Sequence, residues 1–287
     1  MSGSDRHLPE TIYTPESRLR QPKQLWRDMW RDLLASRDLA WRLMVRDISA
    51  QYRQSFLGIF WAFVPPIVAA TGLTLASNAK VLNIGATDIP YPAYVMFSMA
   101  LWQTFVEALN GPIQAVMAAK PMLARINFPR EAIILSQVGQ VFFNFGIKLI
   151  LIAALFLIFQ IPLSWTVVLA PVALIHLVML GTAIGLILAP LGALYEDVSR
   201  GLTLATSAWL FLTPVIYPPP QTGLFAQLVR WNPVTPLLVA VRELSTSGMI
   251  SEPGQFGFAS FLAIVGLLCS WMIYRIAMPL VIERISA

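Results

Sequence analysis

The chain has one cysteine, Cys269, set inside an apolar run, so neither an intrachain disulfide nor a cysteine metal cluster can form. Its two histidines, His7 and His176, lie too far apart, in segments too different in character, to suggest a metal pair. Charge is scarce as well: Asp, Glu, Lys and Arg make up 12% of the residues, where soluble domains run near roughly 25%. No Gly-x-x-x-x-Gly-Lys-Ser/Thr cradle for phosphate occurs, which excludes ATP hydrolysis by this chain alone. The adjacent acids Glu196 and Asp197 fall at a span end beside Arg200 and read as a solvated, paired loop rather than acid–base machinery. No catalytic constellation is present, and the chain is not expected to be an enzyme. The net charge of +5 comes without a stacking or base-reading motif, so no nucleic-acid partner is expected.

What the chain has instead is apolar length. The hydrophobic fraction is 57% over 287 residues, enough for about six membrane spans of roughly 20 residues with their loops. The expected class is an all-α integral membrane protein. The polar stretch of about 24 N-terminal residues lacks the apolar core and small-residue cleavage site of a signal peptide, so the first span is expected to persist in the mature chain. The six apolar segments are Phe56–Ala76, Tyr94–Ala119, Ala132–Phe159, Trp165–Leu191, Leu202–Tyr217 and Phe258–Val281. Pro65-Pro66 interrupts the first, and Pro214 with Pro218-Pro219-Pro220 ends the fifth. Residues 1–55 form a cytoplasmic N-terminal segment and residues 56–282 the transmembrane domain. With the N-terminus inside, sixteen Lys and Arg residues fall on the inner side and three outside, so both termini are expected in the cytoplasm.

Ahead of the first span, Trp26, Met29, Trp30, Leu33 and Leu34 follow helical spacing, with Arg27, Asp28, Arg31 and Asp32 opposite. This is the pattern of an amphipathic helix lying at headgroup depth, the alternative being a helix packed on another protein surface. Between the fifth and sixth spans, residues 218–257 carry two short apolar runs joined through Trp231-Asn232-Pro233. They predict a re-entrant helical hairpin entering from outside, or else two helices flat on the outer surface. Non-helical backbone at membrane depth is tolerated only where protein or a water-filled cavity covers it.

Glu107, Lys148 and His176 lie within spans, where charge is expensive and turns toward a bundle interior or a wet path. Counted from the span ends, Glu107 and Lys148 differ in depth by about 10 Å, which predicts no direct pair unless a helix tilts or a side chain snorkels. Among the many aromatics of the spans, Trp61, Trp102, Phe105 and Trp209 are candidates, with Glu107, to line a path for a sugar polymer, since C–H faces of sugar rings stack on indole and phenyl groups. Ordinary lipid contact is the competing explanation. The inner loop 118–131, basic and bracketed by prolines, is expected to form a small helix offering Met122, Leu123 and Phe128 to a partner.

Arg46-Asp47, Tyr52, Ser55, Leu57-Gly58, Trp61 and Pro66 at the first span, Phe128-Pro129-Arg130 in the inner loop, Thr213-Pro214-Val215-Ile216-Tyr217 after the fifth span, and Asn232-Pro233, Arg242 and Gly248 beyond it occur in an order that resembles the permease subunit of type-2 ABC exporters of polysaccharides and polyol phosphates. The resemblance spans roughly residues 25–280. It implies a permease of the bacterial cytoplasmic (inner) membrane that moves a lipid-linked polysaccharide such as O-antigen or capsule. The permease would act as a homodimer over two copies of a separate ABC ATP-binding subunit, with ATP and Mg bound there and no cofactor or metal in this chain. It assigns Lys120, Met122, Leu123, Phe128, Pro129 and Arg130 to ATPase coupling. Arg46, Asp47, Tyr52, Ser55, Leu57 and Gly58 fall to a cytoplasmic gate, and Pro214, Tyr217, Asn232, Pro233 and Arg242 to an outer gate. An Arg-Asp-Val sequence common after the fourth span in such proteins is Glu196-Asp197-Val198 here. The alternatives are an ABC permease for a drug or simple lipid, or a membrane scaffold without a transport path.

Overall fold

The computed structural model describes residues 22–53, 58–79, 85–123 and 129–286, and among them there is no strand. Ten α-helices follow in order: α1 (Pro22–Ala35), α2 (Arg37–Arg53), α3 (Val64–Asn78), α4 (Tyr91–Leu123), α5 (Glu131–Ile158), α6 (Ala170–Leu194), α7 (Asp197–Phe211), α8 (Gly223–Trp231), α9 (Val234–Ser245) and α10 (Pro253–Ser286). Short 3-10 turns, Gly58–Ala62 and Trp165–Leu169, precede α3 and α6.

Three runs among the described residues are long and apolar enough to cross a membrane: Glu131–Ile158, Trp165–Leu194 and Pro253–Arg284. The departures from the six expected segments have physical reasons. α4 has the length, at 33 residues, but is less apolar. It is enclosed by other helices, with Leu101, Phe105, Leu109 and Val116 at 0% exposure, and an enclosed helix need not match lipid. α3 and α7 have 15 residues each, about 22 Å of helix. Pro65 and Pro66 do not interrupt a helix; they occupy the first turn of α3, where a missing N–H costs nothing. The fifth segment stops being helical at Phe211, and residues 212–217 form turns.

α4 and α6 make the centre of the bundle. Gly181 and Gly185, one turn apart on α6, face the α4 backbone so closely that a Cβ at either would collide with the carbonyl oxygen of Phe105 or Leu109. Small residues at this spacing let helices approach without a hydrophobic driving force between them. α5 and α10 flank this centre and leave Leu149, Ile150, Leu157, Phe258, Phe261 and Leu280 exposed. Large apolar surface of this kind is stable against lipid or another chain.

α1 packs on the bundle instead of lying wholly against a surface of its own. Met29 is fully buried and Trp30 meets Trp271 edge-to-face with ring centroids 5.6 Å apart. Asp32, expected on the solvated face, ion-pairs with Arg275 of α10, whose other nitrogen reaches Glu131 at 2.8 Å. Trp30 and Leu34 remain exposed. This triad brings α1, the start of α5 and the C-terminal half of α10 to one end of the bundle. At the other end, α8 and α9 meet at 86° across Asn232-Pro233. α9 is buried, whereas α8 exposes Leu224, Leu228 and Trp231. The pair is therefore a corner, with one arm inserted and the other on the surface.

Candidate functional site

Two polar clusters stand out, one running along the inner half of α5 to the middle of α4 and the other at the start of α4. The first is a ladder on α5, the most polar stripe of a strongly apolar helix. Gln140, Asn144 and Lys148 are spaced four apart, so they share one face. Gln140 donates to Asp47 of α2 at 3.3 Å. Tyr52, at the end of α2, donates its hydroxyl to Asn144 Oδ1 at 3.2 Å, and Asn144 Nδ2 donates to Glu107 at 3.2 Å. Lys148, whose side chain is 2% exposed, donates to Glu107 at 2.6 Å and lies 3.5 Å from Thr104 Oγ1.

The direct Glu107–Lys148 pair corrects the depth argument. Glu107 is sixteen residues before Leu123, and Lys148 is seventeen after Glu131, so the two stand level on a helical hairpin. Counting each span inward from a different membrane face hid this, because α4 overruns a core of about 30 Å at both ends.

Of the residues assigned to the inner gate, Arg46 and Asp47 pair with each other at 2.7 Å, and Asp47 and Tyr52 join the ladder. Gly58 has φ +49°, a left-handed conformation that favours glycine. Ser55 and Leu57 lie outside the described residues. The coupling segment differs from expectation: residues 118–123 continue α4 through Lys120 and Pro121 rather than forming a separate helix. Met122 lines a cavity of about 460 Å³ together with Arg46, Asp47, Gln137 and Gln140, so part of the coupling set meets part of the gate set. Pro129 is exposed and Arg130 occupies the N-cap position of α5. The side chain of Leu123, and Phe128 altogether, are outside the described residues.

The second cluster answers a backbone problem. The turns 212–217 leave carbonyls without helical partners, and side chains supply the donors. Tyr94 donates toward Pro214 O at 3.1 Å and Tyr217 O at 2.8 Å, and Tyr91 donates to Ile216 O at 3.0 Å. Asn232 donates to Leu212 O at 3.1 Å and Thr213 Oγ1 at 2.9 Å. Its own Oδ1 accepts from Trp209 Nε1 at 3.0 Å and from the Val234 amide at 3.1 Å. Pro233 follows as the N-cap residue of α9. Arg242, 3% exposed, donates to Ser98 at 2.9 Å and lays its guanidinium 4.2 Å from the centroid of the Tyr94 ring. The structure thus draws Pro214, Tyr217 and Arg242 around Tyr94, while Asn232 holds the same turns through Leu212 and Thr213. Neither Tyr94, Tyr91 nor Ser98 was a candidate from sequence, although their spacing of three and four places three hydroxyls on one face of α4.

The aromatic path candidates separate. Trp102 and Phe105 are 5% and 0% exposed. With Trp209 they form a cluster of ring contacts at 5.4–6.4 Å inside the core. Trp102 and Phe105 have no face left for a passing ligand in this conformation, and Trp209 is engaged by Asn232. Trp61 is 57% exposed, next to exposed Phe60. Glu107 is partly exposed, its side chain at 33%.

Comparison with known proteins places this arrangement. Over 192 residues the chain is 27% identical to the O-antigen export system permease protein RfbA of Myxococcus xanthus, covering 66% of this chain and 71% of that one. A protein of the same description from Klebsiella pneumoniae is 23% identical over 230 residues, covering 78% and 84%. The polysialic acid transport protein KpsM of Escherichia coli is 20% identical over 247 residues, covering 81% and 91%. The family model described as ABC-2 type transporter matches residues 38–245, from the start of α2 to the end of α9, so both polar clusters fall within it. The chain belongs to the ABC-2 type transporter family of membrane proteins.

Proposed function

We propose that this chain is the membrane permease of an ATP-driven exporter that carries a lipid-linked polysaccharide across a bacterial inner membrane. The carrying observation is that the family match runs through both polar clusters, while relatives aligned over most of their length are named for O-antigen export and polysialic acid transport. In this reading six spans cross the bilayer: α3 with its preceding turn, α4, α5, α6, α7 and α10. The end that carries the Asp32–Arg275–Glu131 triad faces the cytoplasm with both termini. The inner loop 118–131 meets a separate ATP-binding subunit, present in two copies, which supplies ATP and Mg. Two permeases form a homodimer, and the polymer passes between them along exposed Trp61 and the ladder around Glu107. Trp102, Phe105 and Trp209 serve as the wall behind that path. The corner of α8 and α9 enters from outside as a re-entrant element, and the cluster around Tyr94 closes the outer end. The lower apolarity of α4 and its enclosure by other helices support a helix buried at the centre of such an assembly.

Deleting the gene is expected to remove the surface polysaccharide and to trap lipid-linked polymer inside the cell, with both reversed by the restored gene. Unchanged surface glycan in the deletion strain would refute the reading. The topology has its own check. Single cysteines at positions 85 and 285, in a Cys269→Ser background, should react with an impermeant maleimide from outside and only after permeabilisation, respectively. Reaction of both from one side would break the six-span arrangement.

A further inference from the structure

We infer that the outer cavity of each protomer is a binding site for a short segment of neutral, polyhydroxylated glycan; this rests on the export reading above and adds a substrate class to it. The cavity measures about 1090 Å³ and lies between the segment 85–88, the start of α4, the turns 216–223, α8, α9 and the segment 250–255. Small-molecule sites run to about 1,000 Å³, so this one has room for more than one sugar ring. It opens at the end of the bundle away from the Asp32–Arg275–Glu131 triad, where a translocated polymer would emerge.

Its walls carry unspent hydrogen-bonding capacity. Arg242 and Thr235, 3% and 7% exposed, both line it, and Arg242 Nε and Thr235 Oγ1 have no hydrogen-bond partner among the described residues. Buried polar atoms left in this state are costly unless a ligand or water completes them. Gln221, Gln227 and Gln255 line the same space and add amides that both donate and accept. Sugar hydroxyls require that mixture. The rings of Tyr91 and Tyr217 supply apolar faces for the C–H side of a pyranose.

The charges select against an anion. The lining includes three carboxylates, Asp88, Glu243 and Glu252, and two guanidinium groups, those of Arg230 and Arg242. Arg230 and Glu252 stand 3.9 Å apart and offset each other. Glu243 is held by the amide of Ser251 at 2.9 Å, and Arg242 is engaged by Ser98 and the Tyr94 ring. One acid remains in excess, so an acidic sugar or a phosphate would enter an unfavourable field, whereas a neutral hydroxyl-rich chain would not.

The test uses the full-length permease in nanodiscs. Its probes are oligosaccharides of four to eight sugars, made by mild hydrolysis of the source cell's surface polysaccharide and split by anion exchange into neutral and acidic fractions. Saturation-transfer difference NMR should detect the neutral fraction on the wild type. Thr235→Val, which removes a hydroxyl that bonds to nothing among the described residues, should fold normally and weaken binding about three- to tenfold, the worth of one hydrogen bond. Val239→Trp, which fills the cavity, should abolish the signal. Preferential binding of the acidic fraction, equal binding by wild type and both variants, or no binding of either fraction would each overturn the inference. If deletion of the gene removes surface glycan while neither fraction binds, only this inference fails; if deletion leaves surface glycan intact, the export reading beneath it fails.

Discussion

Glu107→Leu is expected to destabilise the purified protein by about 3 kcal/mol or more, the cost of leaving one member of a buried ion pair alone. Lys148 has a side chain only 2% exposed, and with Glu107 gone the hydrogen-bond partner left to it among the described residues is Thr104 Oγ1 at 3.5 Å. The reverse change should hurt less. Lys148→Met leaves Glu107 partly exposed, with Asn144 still donating to it at 3.2 Å, so a loss of about 1–2 kcal/mol is expected. The double variant Glu107→Leu/Lys148→Met should recover most of the first loss, because a buried pair can be replaced by apolar groups of similar volume at little cost. Unfolding midpoints of the detergent-purified variants, set against wild type, give the order. A double variant as unstable as Glu107→Leu alone would show that the pair is not what holds α4 to α5 at this level.

Arg275→Met is expected to release α1 from the bundle. Arg275 joins α10 to α1 through Asp32 and to α5 through Glu131 at 2.8 Å, and the Glu131 side chain is 8% exposed. Losing the guanidinium strands that carboxylate and removes the ionic tie to α1. A loss of about 3 kcal/mol corresponds to roughly 100-fold faster hydrogen exchange of the α1 amides. Arg275→Lys should fall between, since an ammonium keeps the charge without the fork that reaches two partners. Exchange of α1 that stays at the wild-type rate in Arg275→Met would mean that Met29 and the Trp30–Trp271 contact suffice to hold it.

Much of this protein was legible in its residues because the relevant physics is local. Scarce charge and long apolar runs predict membrane helices, and helical spacing of Trp26, Met29 and Trp30 predicts α1. The strongest signal missed was also local: Gln140, Asn144 and Lys148, every fourth residue of the most apolar stretch, mark a polar face that needs partners. Gly181 and Gly185 likewise announce a close helix contact without naming the helix. Depth arithmetic failed for Glu107 and Lys148 because it fixed span ends to an assumed membrane, whereas the hairpin sets the register of α4 against α5.

The sequence by itself determined the helical class, the apolar faces, the break at Asn232-Pro233, and the resemblance that led to the family. Those properties follow from side-chain hydropathy and from backbone chemistry within a few residues. Only the tertiary structure decided that Asp32 turns inward to Arg275, that Trp102 and Phe105 are core and not surface, and that Tyr94 gathers Pro214, Tyr217 and Arg242 around itself. Each of these depends on which buried donor, acceptor or charge lies opposite another across helices distant in the chain. A polar group enclosed by protein settles where a partner satisfies it, and its own sequence neighbourhood does not say where that partner will be.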